Sequence, residues 1–244
     1  MKLLIIAGIA AFIAFSFWYA KKNRVTAAYK PDTEPIEILT EPDQPIGFGY
    51  KIVWIAAKTD KKIEFADILG LKNIQPSNWQ SGIECAYKNS VFITPQIGEW
   101  TLAAGWGLPG GDNKQSVEKL EKMLNRLSCE FGEAQFFGTH RVAEYHNWMK
   151  SVNGKTERIY AYAGESGETL KVSGEPTEPE KELNLFNPPS EEAASESYSE
   201  REDLDYADEE LVMKIANNWS IDPTRLAERT DIRKELGLIG KIKY

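Results

Sequence analysis

The chain begins with an uncharged apolar run, residues 3–19, and a basic stretch follows at residues 21–24. As an α-helix this run spans about 26 Å, at the lower end of what crosses the hydrocarbon core of a bilayer. Two aromatic residues at its end lie where the interfacial belt of a transmembrane helix is found. The pattern predicts a single N-terminal transmembrane anchor over residues 1–24, in contact with the membrane through residues 3–20.

A cleaved signal peptide is the alternative interpretation of the same run, because Met1 and Lys2 precede it as a short basic start. Cleavage after Ser16 would make the protein secreted or periplasmic. It would also leave an exposed Phe-Trp-Tyr terminus, so an uncleaved signal-anchor is favoured. The Lys/Arg counts of the two flanks favour a cytoplasmic domain by a small margin.

The net charge of -8 is concentrated in residues 175–209, which contain 13 acidic and 2 basic residues. The rest of the chain carries +3. We call residues 175–209 the acidic segment, and its polarity predicts that it is disordered or loosely draped. Because no Lys/Arg stripe compensates for this acidity, nucleic acid is not an expected partner.

The remaining segments divide by composition. Residues 25–46 contain four prolines and predict an extended spacer that holds the domain off the membrane. Residues 47–174 carry the periodic patterns of a folded domain. Residues 210–244 predict a helical C-terminal segment that docks on this domain.

Hydrophobic periodicity assigns the domain to the α+β class. Residues 50–57 are apolar on both alternating faces, which is typical of a central strand. Residues 91–94 and 100–104 predict a hairpin, and Asn153-Gly154 is the strongest two-residue hairpin signal. A helix with Asp112 and Gln115 as its capping pair is predicted from apolar residues at steps of three and four: Val117, Leu120, Leu124, Leu127 and Phe131. We therefore expect a mostly antiparallel sheet with one or two helices packed on it.

The loop Gly105–Gly110 matches G-x-G-x-x-G between a predicted strand and a predicted helix. A dinucleotide fingerprint needs a parallel βαβ unit, whereas the preceding strand is expected in a hairpin. Asp112 would also place a negative charge at the anion site. Nucleotide binding is therefore an alternative, and a plain strand-to-helix loop is favoured.

Both histidines lie close together in sequence. On a continuous strand, His140, Glu144 and His146 share one face, but the two histidines would be about 20 Å apart, too far to share a metal ion. A hairpin at residues 153–154 would pair Glu144 with Ala163, His146 with Ala161 and Trp148 with Ile159. Glu144 and His146 would then form an acid/base pair with Trp148 as one wall.

The other face of this predicted hairpin has the composition of a protein contact surface, rich in Tyr, Met and Arg. The underside of a sheet covered by a helix has a similar composition, so both interpretations stay open. The residues of this face are Tyr145, Asn147, Met149, Arg158, Tyr160 and Tyr162.

No cofactor or metal is predicted, and Cys85 and Cys129 are too few for a disulfide framework. The sequence leaves open whether these two cysteines pair. Together the patterns favour a membrane-anchored protein whose domain binds a protein partner or a small ligand, in an immunity-type or accessory role. A small-substrate enzyme using Glu144 and His146 is the alternative.

Overall fold

One antiparallel sheet runs through the structure, a computed structural model that describes residues 35–163, 168–187, 190, 193, 198 and 201–242. Among these residues the sheet has nine strands in the order β2-β9-β3-β4-β1-β5-β6-β7-β8, with every neighbouring pair antiparallel. The strands are β1 Ile52–Ala57, β2 Leu71–Ser77, β3 Val91–Ile93, β4 Thr101–Ala104, β5 Glu133–His140, β6 Tyr145–Val152, β7 Lys155–Ala163, β8 Glu168–Ser173 and β9 Gly237–Ile242. The predicted antiparallel α+β architecture is confirmed.

Four α-helices among the described residues cover both faces of the sheet: three lie within residues 47–174, where one or two were predicted, and the fourth lies at the C-terminal segment that was expected to be helical. They are α1 Lys62–Leu69, α2 Trp79–Tyr87, α3 Lys114–Phe131 and α4 Glu209–Trp219. Helices α1 and α3 pack on one face, which we call the α3 face. Helices α2 and α4 pack on the other, the α4 face. Short 3-10 helices lie at Glu178–Glu180 and Pro223–Glu228.

Strand β1 lies between β4 and β5 near the middle of the sheet. All six of its residues are buried. Trp54 packs on the α4 face and Ile55 on the α3 face, so apolar residues are needed at both alternating positions. This confirms the prediction of a central strand covered on both sides.

Helix α3 confirms the predicted amphipathic helix, with Leu120 and Leu124 buried against the sheet. Its N-cap is Asn113, whose Oδ1 accepts a hydrogen bond from Ser116 N at 2.9 Å. The predicted capping pair of Asp112 and Gln115 was wrong by one residue, because Asn is as good an N-cap as Asp.

Three elements were not predicted, namely β2, α2 and β9. Strand β9 lies between β2 and β3 and was expected to be helical. Its residues Gly237 and Gly240 disfavour a helix, and the neighbouring strands supply hydrogen-bond partners on both sides. Ile239 of β9 is buried on the α4 face.

The described part of the predicted spacer lies against α2. The Asp43 carboxylate accepts hydrogen bonds from Trp79 N at 2.7 Å and Gln80 N at 2.9 Å, which caps the helix. The carbonyl oxygen of Leu39 accepts from Asn78 N at 2.8 Å. Residues 35–46 therefore form no helix or strand, but they are attached to the domain.

The predicted transmembrane anchor lies outside the described residues, which begin at residue 35. Of the helices that are described, none combines the length and apolar character needed to cross a bilayer. Residues Ile36–Tyr244 form one compact unit by themselves.

Candidate functional site

The β6–β7 hairpin positions most of the predicted site residues. It turns at Asn153 and Gly154, with φ of 47° and 79°, which confirms the predicted two-residue turn. Beside the turn, Val152 pairs with Lys155 and Ser151 with Thr156. The next pair is Lys150 with Arg158, so Glu157 is an unpaired extra residue that forms a β-bulge.

The bulge shifts β7 by one residue relative to the predicted register. His146 pairs with Tyr162 and Trp148 with Tyr160, in place of the predicted partners Ala161 and Ile159. The predicted register was wrong because a two-residue turn fixes pairing only up to the first bulge. The open space expected above His146 is therefore bordered by Tyr162.

Glu144 does not lie on a strand. It ends the turn of residues 141–144 that joins β5 to β6, has a φ of 45° and is exposed. His140 is in β5 and pairs with Tyr145, and Thr139 pairs with His146. The prediction of one continuous strand through Glu144 was wrong, and the two histidines lie on adjacent strands.

His146 is buried on the α4 face. Its Nδ1 lies 2.9 Å from Thr139 Oγ1, a cross-strand hydrogen bond between β5 and β6. Burial lowers the pKa of His146, and the nearby Asp208 carboxylate opposes this effect. The ring is therefore held neutral by its surroundings, and its described hydrogen-bond partner is a hydroxyl group rather than the carboxylate of Glu144.

Tyr145 lies on the α3 face, away from the other predicted binding residues. Its hydroxyl is buried without a hydrogen-bond partner. Burial, followed by the Asp112 carboxylate, raises the pKa of Tyr145. The bulge is the reason that Tyr145 and Tyr160 were wrongly placed on one face.

The other four predicted binding residues share the α4 face with His146. Trp148 stacks on Tyr160 with ring centroids 4.5 Å apart and an interplanar angle of 16°. The Tyr160 hydroxyl donates to the carbonyl oxygen of Phe186 at 2.9 Å. These four residues are Trp148, Arg158, Tyr160 and Tyr162.

Arg158 and Glu180 form a buried ion pair beside Trp148. Oε1 of Glu180 accepts from Arg158 Nε at 2.9 Å, from Arg158 Nη2 at 2.6 Å and from Trp148 Nε1 at 3.0 Å. Oε2 accepts from the backbone and hydroxyl groups of Thr177. Arg158 Nη1 donates to the carbonyl oxygen of Gly174 at 2.8 Å. Both charges are therefore compensated by short hydrogen bonds.

An aromatic cluster also attaches the acidic segment to the sheet. The ring of Phe186 lies 5.9 Å from Tyr162, 5.6 Å from Tyr198 and 5.2 Å from Tyr206. The described part of the acidic segment is thus packed on the domain, which differs from the expected disordered or draped state. The contacts are made by its aromatic residues and by the buried Glu180. The high average polarity of the segment gave no indication of these contacts.

A cleft of about 250 Å³ lies between the sheet and the acidic segment. Arg158, Tyr160 and Val172 form its floor, and its other wall consists of residues from Gly174 to Asn187. The Oδ1 atom of Asn187 is buried and has no hydrogen-bond partner. The cleft therefore combines apolar side chains with the buried ion pair of Arg158 and Glu180.

The glycine loop at Gly105–Gly110 has a packing role. It follows β4, which is antiparallel to both of its neighbours, so no parallel βαβ unit is present there. A Cβ atom at Gly105 would lie 2.0 Å from the carbonyl oxygen of Ser90. This close backbone approach accounts for the first glycine, and the geometry removes the support for nucleotide binding.

Cys85 and Cys129 are both free, the first buried and the second exposed. Burial raises the pKa of the Cys85 thiol, which keeps it protonated and unreactive. Among the described residues, no cluster of His, Cys, Asp and Glu has the arrangement needed to hold a metal ion.

Sequence reasoning missed Glu180 and Asn187. Thr177 and Glu180 have the T-x-x-E spacing of a capping box, and this signal could have identified an ordered turn within the acidic segment. No sequence pattern distinguishes Asn187 from the other polar residues around it.

Comparison with protein families, curated proteins and solved structures found no match to this chain.

Proposed function

We propose that this chain is a membrane-anchored binding protein, of accessory or immunity type, whose domain recognises a protein partner through the cleft and performs no chemistry. The observation that carries this proposal is the cleft between the sheet and the acidic segment, which is lined by Tyr160, Val172, Leu183 and Leu185.

Binding is better supported than the enzyme alternative. Catalysis by a histidine needs a group that orients the ring and a position for the reacting atom within hydrogen-bond reach. The Nδ1 of His146 already interacts with Thr139, and Glu144 is on an exposed turn. This arrangement stabilises the sheet and does not assemble an acid/base pair.

The size of the cleft favours a protein partner over a small ligand. Pockets that enclose whole small molecules usually measure about 300–1,000 Å³, and this cleft is smaller, at about 250 Å³. A space of this size is suited to one anchoring side chain of a partner. Tyr and Arg, which are enriched at protein interfaces, form part of its floor.

Photo-crosslinking in cells tests this proposal. A photoreactive amino acid at the exposed position Glu175, beside the cleft, should form an adduct with a specific protein. Filling the cleft with Val172→Trp should abolish that adduct. The same photoreactive residue at Gln115, in a separate cleft of about 330 Å³ near the start of α3, serves as the position control.

Gln115→Trp is the matched filling control and should leave the Glu175 adduct unchanged. A thermal melt of each variant checks that the domain remains folded. The proposal fails if no adduct is specific to position 175, or if the adduct persists in the folded Val172→Trp variant.

The membrane anchor at residues 3–20 is a part of the proposal that rests on sequence alone. Deleting these residues should move the chain from the membrane pellet to the soluble fraction. A reporter fused to the C-terminus should be active on the cytoplasmic side, as the flanking charges favour. A mature protein that begins after Ser16 would replace the anchor by a cleaved signal peptide.

A further inference from the structure

We infer that Asn153 is a site of spontaneous deamidation, which the Ser128 hydroxyl holds inactive while α3 packs on the β6–β7 hairpin. The products are aspartate and isoaspartate at position 153, and water is the co-reactant. This inference goes beyond the proposed function, because it concerns the turn of the hairpin and not the cleft.

The turn of the hairpin holds both reacting groups in consecutive residues. Asn153 is exposed, so its side-chain amide is open to water. Gly154 has no Cβ atom that would hinder approach to its backbone nitrogen. The Asn-Gly pair occurs once in the sequence, at this position. The dipeptide that favours the tight turn is therefore also the one best suited to cyclise.

The reaction proceeds through a succinimide ring. The backbone nitrogen of Gly154 attacks Cγ of Asn153, a new N–Cγ bond forms, and Nδ2 leaves as ammonia with the proton from Gly154 N. Water then opens the ring. Cleavage of the N–Cγ bond gives aspartate, whereas cleavage of the backbone C–N bond gives isoaspartate, in which the main chain runs through Cγ.

Hydrogen bonds to α3 keep the attacking nitrogen in place. Gly154 N donates to Ser128 Oγ at 3.0 Å, and Asn153 N donates to the carbonyl oxygen of Gly132 at 2.8 Å. Ser128 is itself buried, and its Oγ lies 2.9 Å from Ser151 Oγ. Cyclisation requires Gly154 N to lose its proton and move onto the Asn153 side chain. The bond to Ser128 must therefore break before the ring can form.

Deamidation would weaken the contact that prevents it. An aspartate at position 153 places a negative charge beside Gly132, at the C-terminal end of α3, where the helix dipole disfavours it. Isoaspartate adds one atom to the main chain within a two-residue turn. Because ammonia is released, the change does not reverse. Opening of the contact between α3 and the hairpin is thereby converted into a permanent covalent change.

Peptide mass spectrometry of the full-length chain, incubated at mildly alkaline pH, tests the inference. Ser128→Ala should deamidate at position 153 about tenfold faster than the unsubstituted chain, a factor that corresponds to about 1.4 kcal/mol. Ser151→Ala is the matched control, because it removes the neighbouring hydroxyl but leaves the acceptor of Gly154 N. It should leave the rate unchanged. The exposed Asn89, which precedes a serine, is the internal reference in every sample.

A thermal melt checks that each variant is folded, and hydrogen exchange of the Gly154 amide should be faster in Ser128→Ala. If Ser128→Ala does not fold, Ser128→Cys replaces it, since a thiol is a weaker acceptor of similar size, and a smaller acceleration is expected. The inference is overturned if the folded Ser128 variant and Ser151→Ala deamidate at equal rates. It is also overturned if position 153 of the unsubstituted chain reacts as fast when folded as in urea.

Discussion

Glu180 Oε1 lies 2.6 Å from Nη2 of Arg158, and the two side chains are 0% and 4% exposed. This pair connects β7 with the acidic segment and forms one side of the cleft. A buried ion pair adds little net stability when compared with apolar residues of the same size, but removal of one partner leaves the other charge buried and uncompensated.

Glu180→Gln should lower the free energy of unfolding by about 3–5 kcal/mol, because the Arg158 charge would remain buried. Urea denaturation measures the change. Glu178→Gln is the control, since Glu178 pairs with Lys181 at the surface and its loss should cost less than about 1 kcal/mol. If Glu180→Gln and Glu178→Gln lower the free energy of unfolding equally, removal of Glu180 does not leave the Arg158 charge buried and uncompensated.

Gly174→Ala should destabilise the domain more than Gly132→Ala. Both glycines have positive φ, which costs a residue with a Cβ atom about 1–2 kcal/mol. A Cβ at Gly174 would also lie 1.8 Å from the carbonyl oxygen of Glu157, whereas Gly132 has open space. Displacing Gly174 would weaken its bond to Arg158, so a further loss of roughly 1.5–3 kcal/mol is expected in denaturation experiments.

If Gly174→Ala costs no more than Gly132→Ala, the backbone at the bulge adapts without disturbing the ion pair. The cleft would then be less rigid than the close approach of Gly174 to Glu157 indicates.

The stability of the domain should fall as the pH is lowered through the ordinary histidine pKa of 6.5. Burial lowers the pKa of His146 in the folded state, so the unfolded chain binds the proton first and acid favours unfolding. The contribution of neutral His146 to the free energy of unfolding is fully present above pH 6.5. It is lost as the pH falls towards the lower pKa that His146 has in the folded state. Denaturation at a series of pH values should show this slope.

His146→Gln should flatten the slope in this pH range. Asp203 does not interfere, because the hydrogen bond from Arg201 lowers its pKa to about 2, well below this window. An unchanged slope in His146→Gln would assign the pH dependence to another group.

Ile239→Ala in β9 should cost about 2–5 kcal/mol, as expected for a large buried aliphatic residue. Lys241→Ala in the same strand is exposed and should change stability by no more than about 0.5 kcal/mol. Thermal and urea denaturation measure both. A small effect of Ile239→Ala would indicate that β9 contributes little to the core.

Much of the central architecture could be predicted from local patterns. Strand β1, helix α3 and the turn at Asn153-Gly154 each carry a strong periodic or turn signal in consecutive residues. Strand β9 could not be predicted in this way, because Gly237 and Gly240 interrupt its apolar pattern and its partners β2 and β3 lie far away in sequence.

The candidate site depended on two features that sequence patterns do not specify. The bulge at Glu157 shifts β7 by one residue, so Trp148 pairs with Tyr160 instead of Ile159. No residue type in the strand indicates that a bulge will form there. The burial of Glu180 depends on Arg158, which lies outside the acidic segment. Composition describes this segment by its average charge, and that average gives no indication that Glu180 is buried and paired.

The position of β9 also has a consequence for biosynthesis. As the chain leaves the ribosome, β2 and β3 emerge early, and the facing edges of both strands expose unpaired backbone groups until residues 237–242 follow. A nascent or prematurely terminated chain therefore presents an open sheet edge to chaperones and proteases. The sheet can therefore close only after synthesis of residues 237–242, the last strand that the structure describes.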